Sequence, residues 1–262
     1  MSGIRSSGLS RATVQALIDA SGGGGGSVPT SGTTPTSLLA FAPNLGPVGS
    51  VFFVPGSIVV QYVGAIYMSG VGLAGGAKAA DAYGVKCDSA AAATNSCGID
   101  GNGSTCLTTR RERRPWFWAR AKLGPVADTC GWFVGLFRTM LIDHTTYPDY
   151  CLAFTCSSNA GETTWQLGSR DGTTTSKTDT LVPVAADHEY SWYYQIEGAS
   201  CNNVRWAIYD HTAGLFYSGL ITGKANLPAL TDNLGPIIHG VNVGAISHTI
   251  YLPPTPFMLG QL

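Results

Sequence analysis

Charged residues are scarce in this sequence. They make up 12% of its 262 residues, about half of the roughly 25% that is ordinary for a soluble protein. Sixteen acidic and fifteen basic residues nearly cancel, which leaves a formal net charge of −1. A nucleic-acid partner would require a basic excess to neutralise its phosphates. We therefore expect no nucleic-acid partner.

Long apolar runs are missing as well. No stretch reaches the ~18–20 uncharged apolar residues that cross a membrane. The first twenty residues, MSGIRSSGLSRATVQALIDA, lack the apolar centre of a secretory signal. The sequence therefore predicts no membrane partner and assembly in a cytoplasm.

Familiar catalytic patterns do not occur either. There is no G-x-S-x-G around a nucleophilic serine, and the five histidines form no H-E-x-x-H. A glycan hydrolase needs two carboxyls that face each other across the bond. The nearest pair, Asp187 and Glu189, spans the expected start of a strand, and no alternating E-x-D-x-E run exists. The sequence predicts that the protein is not an enzyme.

A metal or cofactor site is not indicated. DGNGST, residues 100–105, is similar to the start of a calcium loop. However, Thr105 stands where that loop needs glycine, and Arg111 stands where it needs a bidentate glutamate. We interpret the stretch as a glycine-rich turn and expect no cofactor.

The seven cysteines have no C-x-x-C spacing, and their number is odd. Cys151 and Cys156 would point to opposite faces of one strand, so they could not pair with each other. We expect reduced, mostly buried thiols. One disulfide among Cys87, Cys97 and Cys106 after release from the cell is the alternative.

The sequence begins with a short amphipathic segment, which is followed by residues that cannot build a core. Val14, Leu17 and Ile18 form one narrow apolar stripe at helical spacing. Such a short helix is marginal alone in water. The following ASGGGGGSVPTSGTTPTS would span about 20–25 Å as a flexible coil. We predict a docking peptide at residues 1–20, helical against a partner, and a flexible linker at 21–37; a frayed tail is the alternative.

From Leu38 the pattern becomes that of an all-β domain over residues 38–262. Residues 69–109 are rich in small residues without a period, and we expect an irregular excursion there, with a short helix in GAKAADAYG. The predicted strands after it are WFWARAKL, GWFVGLFRTM, YCLAFTCS, TWQLGSRDG, EYSWYYQIEG, NVRWAIYD, GLFYSGLIT and SHTIYLP. In EYSWYYQIEG, Tyr190, Trp192, Tyr194 and Ile196 alternate with polar positions, as in a sheet buried on one side.

The only dense charge run is RRERR, Arg110 to Arg114. A grip on phosphate or on an acidic glycan is one interpretation. Because Glu112 dilutes the positive field, we favour a solvated rim or a contact between subunits.

The second half of the chain, Arg114 to Leu252, resembles the concanavalin-A-like jelly roll of tailed-bacteriophage virion proteins. The resemblance follows the order WFWARAKL, GWFVGLFR, TTWQLGSRDGTTTSKTDT, HEYSWYYQIEG, VRWAIYD and LPALTDNLGPIIHGV, then a last strand, SHTIYLP. It implies two packed antiparallel sheets and a place in a virion, and it brings no catalytic residue.

This resemblance and the anchor–tether layout predict a non-enzymatic virion structural protein: a fibre, a spike, or a capsid or tail decoration subunit. It would dock to other virion proteins through residues 1–20 and form a homotrimer or another homo-oligomer. The virion would be assembled in the host cytoplasm.

A carbohydrate-binding module that recognises the host is the alternative function, and a glycan depolymerase is a third. The outward candidates for contact with a host-surface glycan or a neighbouring subunit are Trp165, Tyr193, Tyr209 and Tyr217. The competing role for each of these residues is packing. For the tryptophans on strands, a position in the core is the default expectation.

Overall fold

The computed structural model describes residues 78–89, 91, 96–100, 108–125, 130–138, 149–253 and 257–261. Within these ranges the chain forms fourteen strands and two short 3-10 turns, with no α-helix. The same ranges contain no helix that is long and apolar enough to cross a bilayer. The predicted docking peptide with Val14, Leu17 and Ile18, the linker and the first apolar runs lie outside the described residues.

The strands have the following bounds: β1 Lys78–Asp81, β2 Gly84–Asp88, β3 Ser96–Asp100, β4 Pro115–Leu123, β5 Cys130–Phe137, β6 Cys151–Ser157, β7 Thr164–Arg170, β8 Thr175–Pro183, β9 Glu189–Glu197, β10 Asn203–Asp210, β11 Leu215–Ile221, β12 Gly235–Asn242, β13 Thr249–Leu252 and β14 Phe257–Gln261. They form two antiparallel sheets. The larger sheet has eight strands in the order β1-β2-β13-β4-β9-β10-β11, with β14 also paired to β4. The smaller has six strands in the order β3-β12-β5-β6-β7-β8. The prediction of an all-β jelly-roll sandwich is confirmed.

The main core lies between the two sheets and follows from the period-two alternation of the strands. On β9, Tyr190, Trp192, Tyr194 and Ile196 all point inward and are 0% exposed, as the sequence predicts. On β4, the inward positions are Phe117, Ala119, Ala121 and Leu123. Burying a large aromatic or aliphatic side chain stabilises the fold by about 1.5–3 kcal/mol each. This core therefore provides the main stabilisation that holds the sheets together.

The expected helix in GAKAADAYG is wrong. That stretch lies mostly in a β-hairpin, with Lys78 opposite Cys87 and Asp81 opposite Gly84. Cys87 is 0% exposed in the main core, and β2 also pairs with β13. These tertiary contacts outweigh the helix preference of the alanines, because propensity differs by less than about 1 kcal/mol per residue. Three strands therefore lie within the interval 69–109 that we expected to be irregular.

The prediction of buried thiols is confirmed for the six described cysteines, all of which are buried and none of which is in a disulfide. Cys151 and Cys156 point to opposite faces of β6: Cys156 belongs to the main core, and Cys151 belongs to a second cluster. Burial raises the pKa of each of these two thiols to about 12. Both therefore remain protonated small hydrophobic groups at neutral pH. Cys106 lies outside the described residues.

The outer face of the six-stranded sheet is apolar on β5, β6 and β12. It carries the second buried cluster, formed by Phe133, Phe137, Cys151, Ala153, Ile237 and Val241. The one imidazole among these neighbours, His239 on β12, is 2% exposed, and burial lowers its pKa to about 3. Charged side chains lie on the same face beside this cluster. Arg170 on β7 is opposite Cys151, and Lys177 on β8 is opposite Gly168, which is itself opposite Ala153. Both cations are held in ion pairs, Arg170 with Asp149 and Lys177 with Glu162.

Candidate functional site

The outer face of the eight-stranded sheet carries polar and aromatic side chains from several neighbouring strands. Strand pairing aligns Lys122 with Glu189, Arg120 with Ser191 and Trp118 with Tyr193 between β4 and β9. On β10 the same face continues through Arg205 and Tyr209. Because side chains alternate along a strand, these residues all lie opposite to the core.

Three side chains from distant parts of the chain meet at one end of this face. The hydroxyl of Tyr83 donates a hydrogen bond of 2.5 Å to Oε1 of Glu189. Nε of Arg120 donates to the same oxygen in an ion pair. We call Tyr83, Arg120 and Glu189 the Arg120 cluster.

The Arg120 cluster is electrostatically fixed. Burial acts to raise the pKa of Glu189, but the hydrogen bonds from Tyr83 and Arg120 and the charge of Arg120 outweigh it. The pKa of Glu189 is therefore below its ordinary value. Burial and the hydrogen bond to Glu189 raise the pKa of Tyr83. At neutral pH, Glu189 is thus an anion that accepts hydrogen bonds from a neutral phenol and a guanidinium.

His211 lies beside this cluster. Its Nε2 is 2.8 Å from Oγ of Ser191, and its ring centre is 4.4 Å from that of Tyr209 at an interplanar angle of 60°. Burial and the charge of Arg120 lower the pKa of His211, while Glu189 and Asp210 act in the opposite direction. The imidazole is therefore mostly neutral at pH 7.

A tight turn after β10 positions this imidazole. Oδ1 of Asp210 accepts backbone N–H groups from Thr212 at 3.0 Å and Ala213 at 2.9 Å. Its Oδ2 is 2.8 Å from Nδ1 of His188, and the backbone N–H of His211 donates to the carbonyl of Glu189. The direction of the His211 side chain is thus set by hydrogen bonds on both sides.

The other end of the face has its own fixed polar groups. Arg205 donates to Glu197 through Nε at 2.7 Å and through a terminal nitrogen at 3.1 Å. Such two-point pairing holds both side chains in one geometry. Between the two ends lie Trp118 and Tyr193, which are only 3% and 6% exposed. The face thus has an aromatic middle and two polar ends.

The four predicted outward aromatics are distributed differently from the expectation. Tyr209 is on the outer face and half-buried. Tyr193 is on the same face but nearly buried, and its hydroxyl donates to Oε1 of Gln195 at 2.8 Å. Tyr217 packs against the main core from the edge strand β11. Trp165 is 0% exposed between the sheets, so its outward placement is wrong and the packing role is correct.

Sequence reasoning missed the Arg120 cluster and His211. Arg120 and Glu189 were visible as polar positions that alternate with apolar ones in WFWARAKL and EYSWYYQIEG. Tyr83 gave no such signal, because its stretch, GAKAADAYG, was expected to form a short helix in an irregular region. Their convergence depends on strand order, which puts β4 beside β9 and β2 two strands away.

A second group of polar side chains is buried inside the sandwich. Nε2 of His248 is 3.4 Å from Sγ of Cys97, and Oδ1 of Asn242 contacts Nδ1 of the same ring. The order thiol–imidazole–amide is that of a cysteine nucleophile with its base. However, burial raises the pKa of Cys97 and lowers that of His248 to about 4, so both groups are neutral. All three residues are at most 2% exposed, and we interpret them as a structural network.

No protein-family model and no curated protein matches this chain. The solved structures define its fold class as a concanavalin-A-like jelly-roll sandwich. A protein of unknown function from Shewanella oneidensis MR-1 matches with a TM-score of 0.54 at 9% identity, over 88% of this chain and 95% of that one. The PL-14 alginate lyase from Aplysia kurodai matches with a TM-score of 0.53 at 7% identity, over 82% of this chain and 99% of that one.

These comparisons correct one prediction and confirm part of another. The expectation that the protein is not an enzyme is corrected, because the structures of similar fold include an alginate lyase. The jelly-roll part of the resemblance to virion proteins is confirmed. Neither of the two structures described above points to a virion.

Proposed function

We propose that the protein binds a glycan on the outer face of its eight-stranded sheet. The observation that carries this proposal is the half-buried Tyr209 ring beside His211 and the Arg120 cluster. An aromatic ring offers an apolar surface to the C–H groups of a sugar, and nearby fixed polar groups can bond its hydroxyls. The alginate lyase of similar fold, which acts on a polysaccharide, supports a carbohydrate as the ligand.

Preorganisation favours binding at this position. Glu189 and Arg120 are already paired, and Ser191 and His211 already share a contact of 2.8 Å. Side chains that are held in place before association lose less conformational entropy when a ligand binds. A flexible sugar can therefore be bound by groups that do not need to reorganise.

The binding proposal predicts different outcomes for two tyrosines on neighbouring strands. Tyr209→Ala removes an aromatic surface from the outer face, and we expect about tenfold weaker binding or more, since stacked rings contribute on the order of 1 kcal/mol or more. Tyr217→Ala removes a tyrosine from the opposite side of the sheet and should change affinity little. Glycan-array screening followed by calorimetry on the full chain measures both. Equal losses in the two variants would contradict the proposal.

Cleavage of the bound polysaccharide is a second candidate function. It is favoured by the neutral imidazole of His211 beside Arg120 and Tyr83, because bond cleavage requires a group that accepts or donates a proton. Hydrolysis by Glu189 and Glu197 does not fit. These residues begin and end β9, so they are about 26 Å apart at ~3.3 Å per residue, beyond the ~5–9.5 Å that glycosidases use. Shortening of the polysaccharide during the binding assay would detect cleavage.

We further propose that the glycan-binding domain is carried on a virion of a tailed bacteriophage, as a fibre, spike or decoration subunit. The support is the sequence alone: the apolar stripe of Val14, Leu17 and Ile18, the linker at 21–37, and the order of strand motifs in the second half. The proposal includes docking to capsid or tail proteins and a homotrimer or other homo-oligomer.

Removal of residues 1–20 tests this attachment. We expect the remaining chain to fold as a soluble β-sandwich and to be absent from particles. The double change Leu17→Asp and Ile18→Asp should have the same effect, because each apolar contact contributes roughly 1.5–3 kcal/mol when it is buried. Immunoblots of purified particles measure incorporation, and circular dichroism checks folding. Normal incorporation of either variant would exclude the docking role.

A further inference from the structure

We infer that the outer face of the eight-stranded sheet selects an uncharged glycan and discriminates against polyuronates. This inference rests on the proposed glycan-binding function and adds the chemical class of the ligand. It follows from how the charges on this face are paired.

Cations of this face have acidic partners within the face itself. Arg120 is bound to Glu189, and Arg205 is bound to Glu197 at 2.7 Å and 3.1 Å. Lys86 on β2 is 2.9 Å from Asp88 on the same strand. Each of these acids offers its oxygens to a cation that would otherwise attract the carboxylate of an acidic sugar.

One described cation of the face differs from these three. The ammonium of Lys122 lies 5.6 Å from the centre of the Tyr251 ring. Such a contact attracts the ammonium only weakly and leaves its charge in place. Lys122 therefore adds about one positive charge to the face. A polyuronate carries a carboxylate on each sugar, so this one charge is too small to neutralise it.

Charge pairing makes an acidic ligand unfavourable for a physical reason. A sugar carboxylate that approaches Arg120 also approaches Glu189, and like charges repel most strongly where water is partly excluded. To pair with Nε of Arg120, the ligand would have to displace Glu189 and leave that carboxylate partly buried without its cation. Hydroxyl groups meet no such repulsion, and they can donate to Glu189 while the ion pair stays intact.

The experiment compares two ligand classes on the full chain. The neutral panel contains glucans, galactans and mannans, and the acidic panel contains alginate and polygalacturonate of similar length. We expect binding to members of the neutral panel, and binding to the acidic panel at least about tenfold weaker. Glu189→Gln removes the repelling carboxylate and frees Arg120, so binding to polyuronates should increase about tenfold.

The matched control is Glu112→Gln, which removes one negative charge from an exposed ion pair in the 3-10 turn before β4. This change should leave the preference between the panels unaltered. Glu197→Gln, which frees Arg205 at the other end of the face, is the second variant if Glu189→Gln does not fold. Thermal unfolding of each variant establishes that the comparison is made on folded protein.

The outcomes separate this inference from the function on which it rests. A wild-type protein that prefers polyuronates would overturn the inference and leave glycan binding intact. A wild-type protein that binds neither panel would overturn the proposed function and the inference together. An equal gain in polyuronate binding by Glu189→Gln and Glu112→Gln would also overturn the inference, because net charge and not the pairing on this face would then govern selectivity.

Discussion

Replacing Trp165 with alanine is expected to lower the free energy of unfolding by about 3–5 kcal/mol. Trp165 is 0% exposed on β7 between the two sheets. Its ring centre is 5.0 Å from that of Trp192 and 5.7 Å from that of Tyr190, both in edge-to-face geometry. Alanine would remove these contacts and leave a cavity that the flanking strands fill only partly. A single domain has about 5–15 kcal/mol of stability in total, so the loss is large.

Urea unfolding followed by tryptophan fluorescence and circular dichroism measures this loss. Leu181→Ala is the control, because Leu181 is 49% exposed and its truncation should change stability by no more than about 0.5 kcal/mol. A loss below about 1 kcal/mol for Trp165→Ala would mean that the ring is not in the core. The outward placement considered from the sequence would then be correct.

Replacing Lys224 with methionine is expected to stabilise the protein at pH 7 and to do so less at alkaline pH. Lys224 is 5% exposed. Its ammonium donates to the carbonyl and hydroxyl oxygens of Ser176, each at 3.2 Å, and to the hydroxyl of Thr178 at 3.1 Å. All three acceptors are uncharged. Burial lowers the pKa of Lys224 from its ordinary value of 10.5 to about 8.

The lowered pKa of Lys224 determines how the free energy of unfolding changes with pH. Between pH 8 and 10.5 the unfolded chain keeps the proton on Lys224, whereas the folded chain has lost it. Stability therefore rises with pH across this window, and the destabilisation is fully present below pH 8. A difference of about 2.5 pKa units corresponds to roughly 3 kcal/mol. Methionine keeps the apolar stem but removes the buried charge, and the lost hydrogen bonds reduce its net gain to about 1–3 kcal/mol.

The measurement is the difference in unfolding free energy between wild type and Lys224→Met at pH 7, 9 and 10.5, the range set by the pKa values of the group. Because the other titratable groups are the same in both proteins, their contribution to the pH dependence cancels in this difference. Lys122→Met is the matched control, since its half-exposed side chain should change stability little at any of these pH values. A difference that stays constant from pH 7 to 10.5 would contradict a buried ammonium at position 224.

Strands with a clear alternation could be predicted from the sequence. β9 was found with its correct faces, because inward aromatic or aliphatic residues alternate with the intervening ones over its nine residues. β8, Thr175–Pro183, was missed as a strand. Its threonine-rich sequence is typical of a loop, and only Thr180 and Val182 are buried. The hairpin of β1 and β2 was missed because alanine and glycine carry no period-two signal.

The candidate site could be predicted only in fragments. Tyr209 was named as an outward aromatic because its strand alternates. Tyr193 was assigned to the correct face. Its burial depends on other parts of the fold, so it could not be predicted from the alternation within one strand. The contact of Tyr83 with Glu189 joins residues 106 positions apart. A pattern within one strand cannot predict a contact between residues so far apart in the sequence.

The sequence by itself determined the all-β class, the inward face of β9 and the low content of charged residues. These properties depend on composition and on a period of two residues, which are local. Only the tertiary structure decided that Trp165 lies between the sheets and that Tyr83, Arg120, Glu189 and His211 meet on one face. Those facts depend on which strands become neighbours, and strand order is set by packing of the whole core.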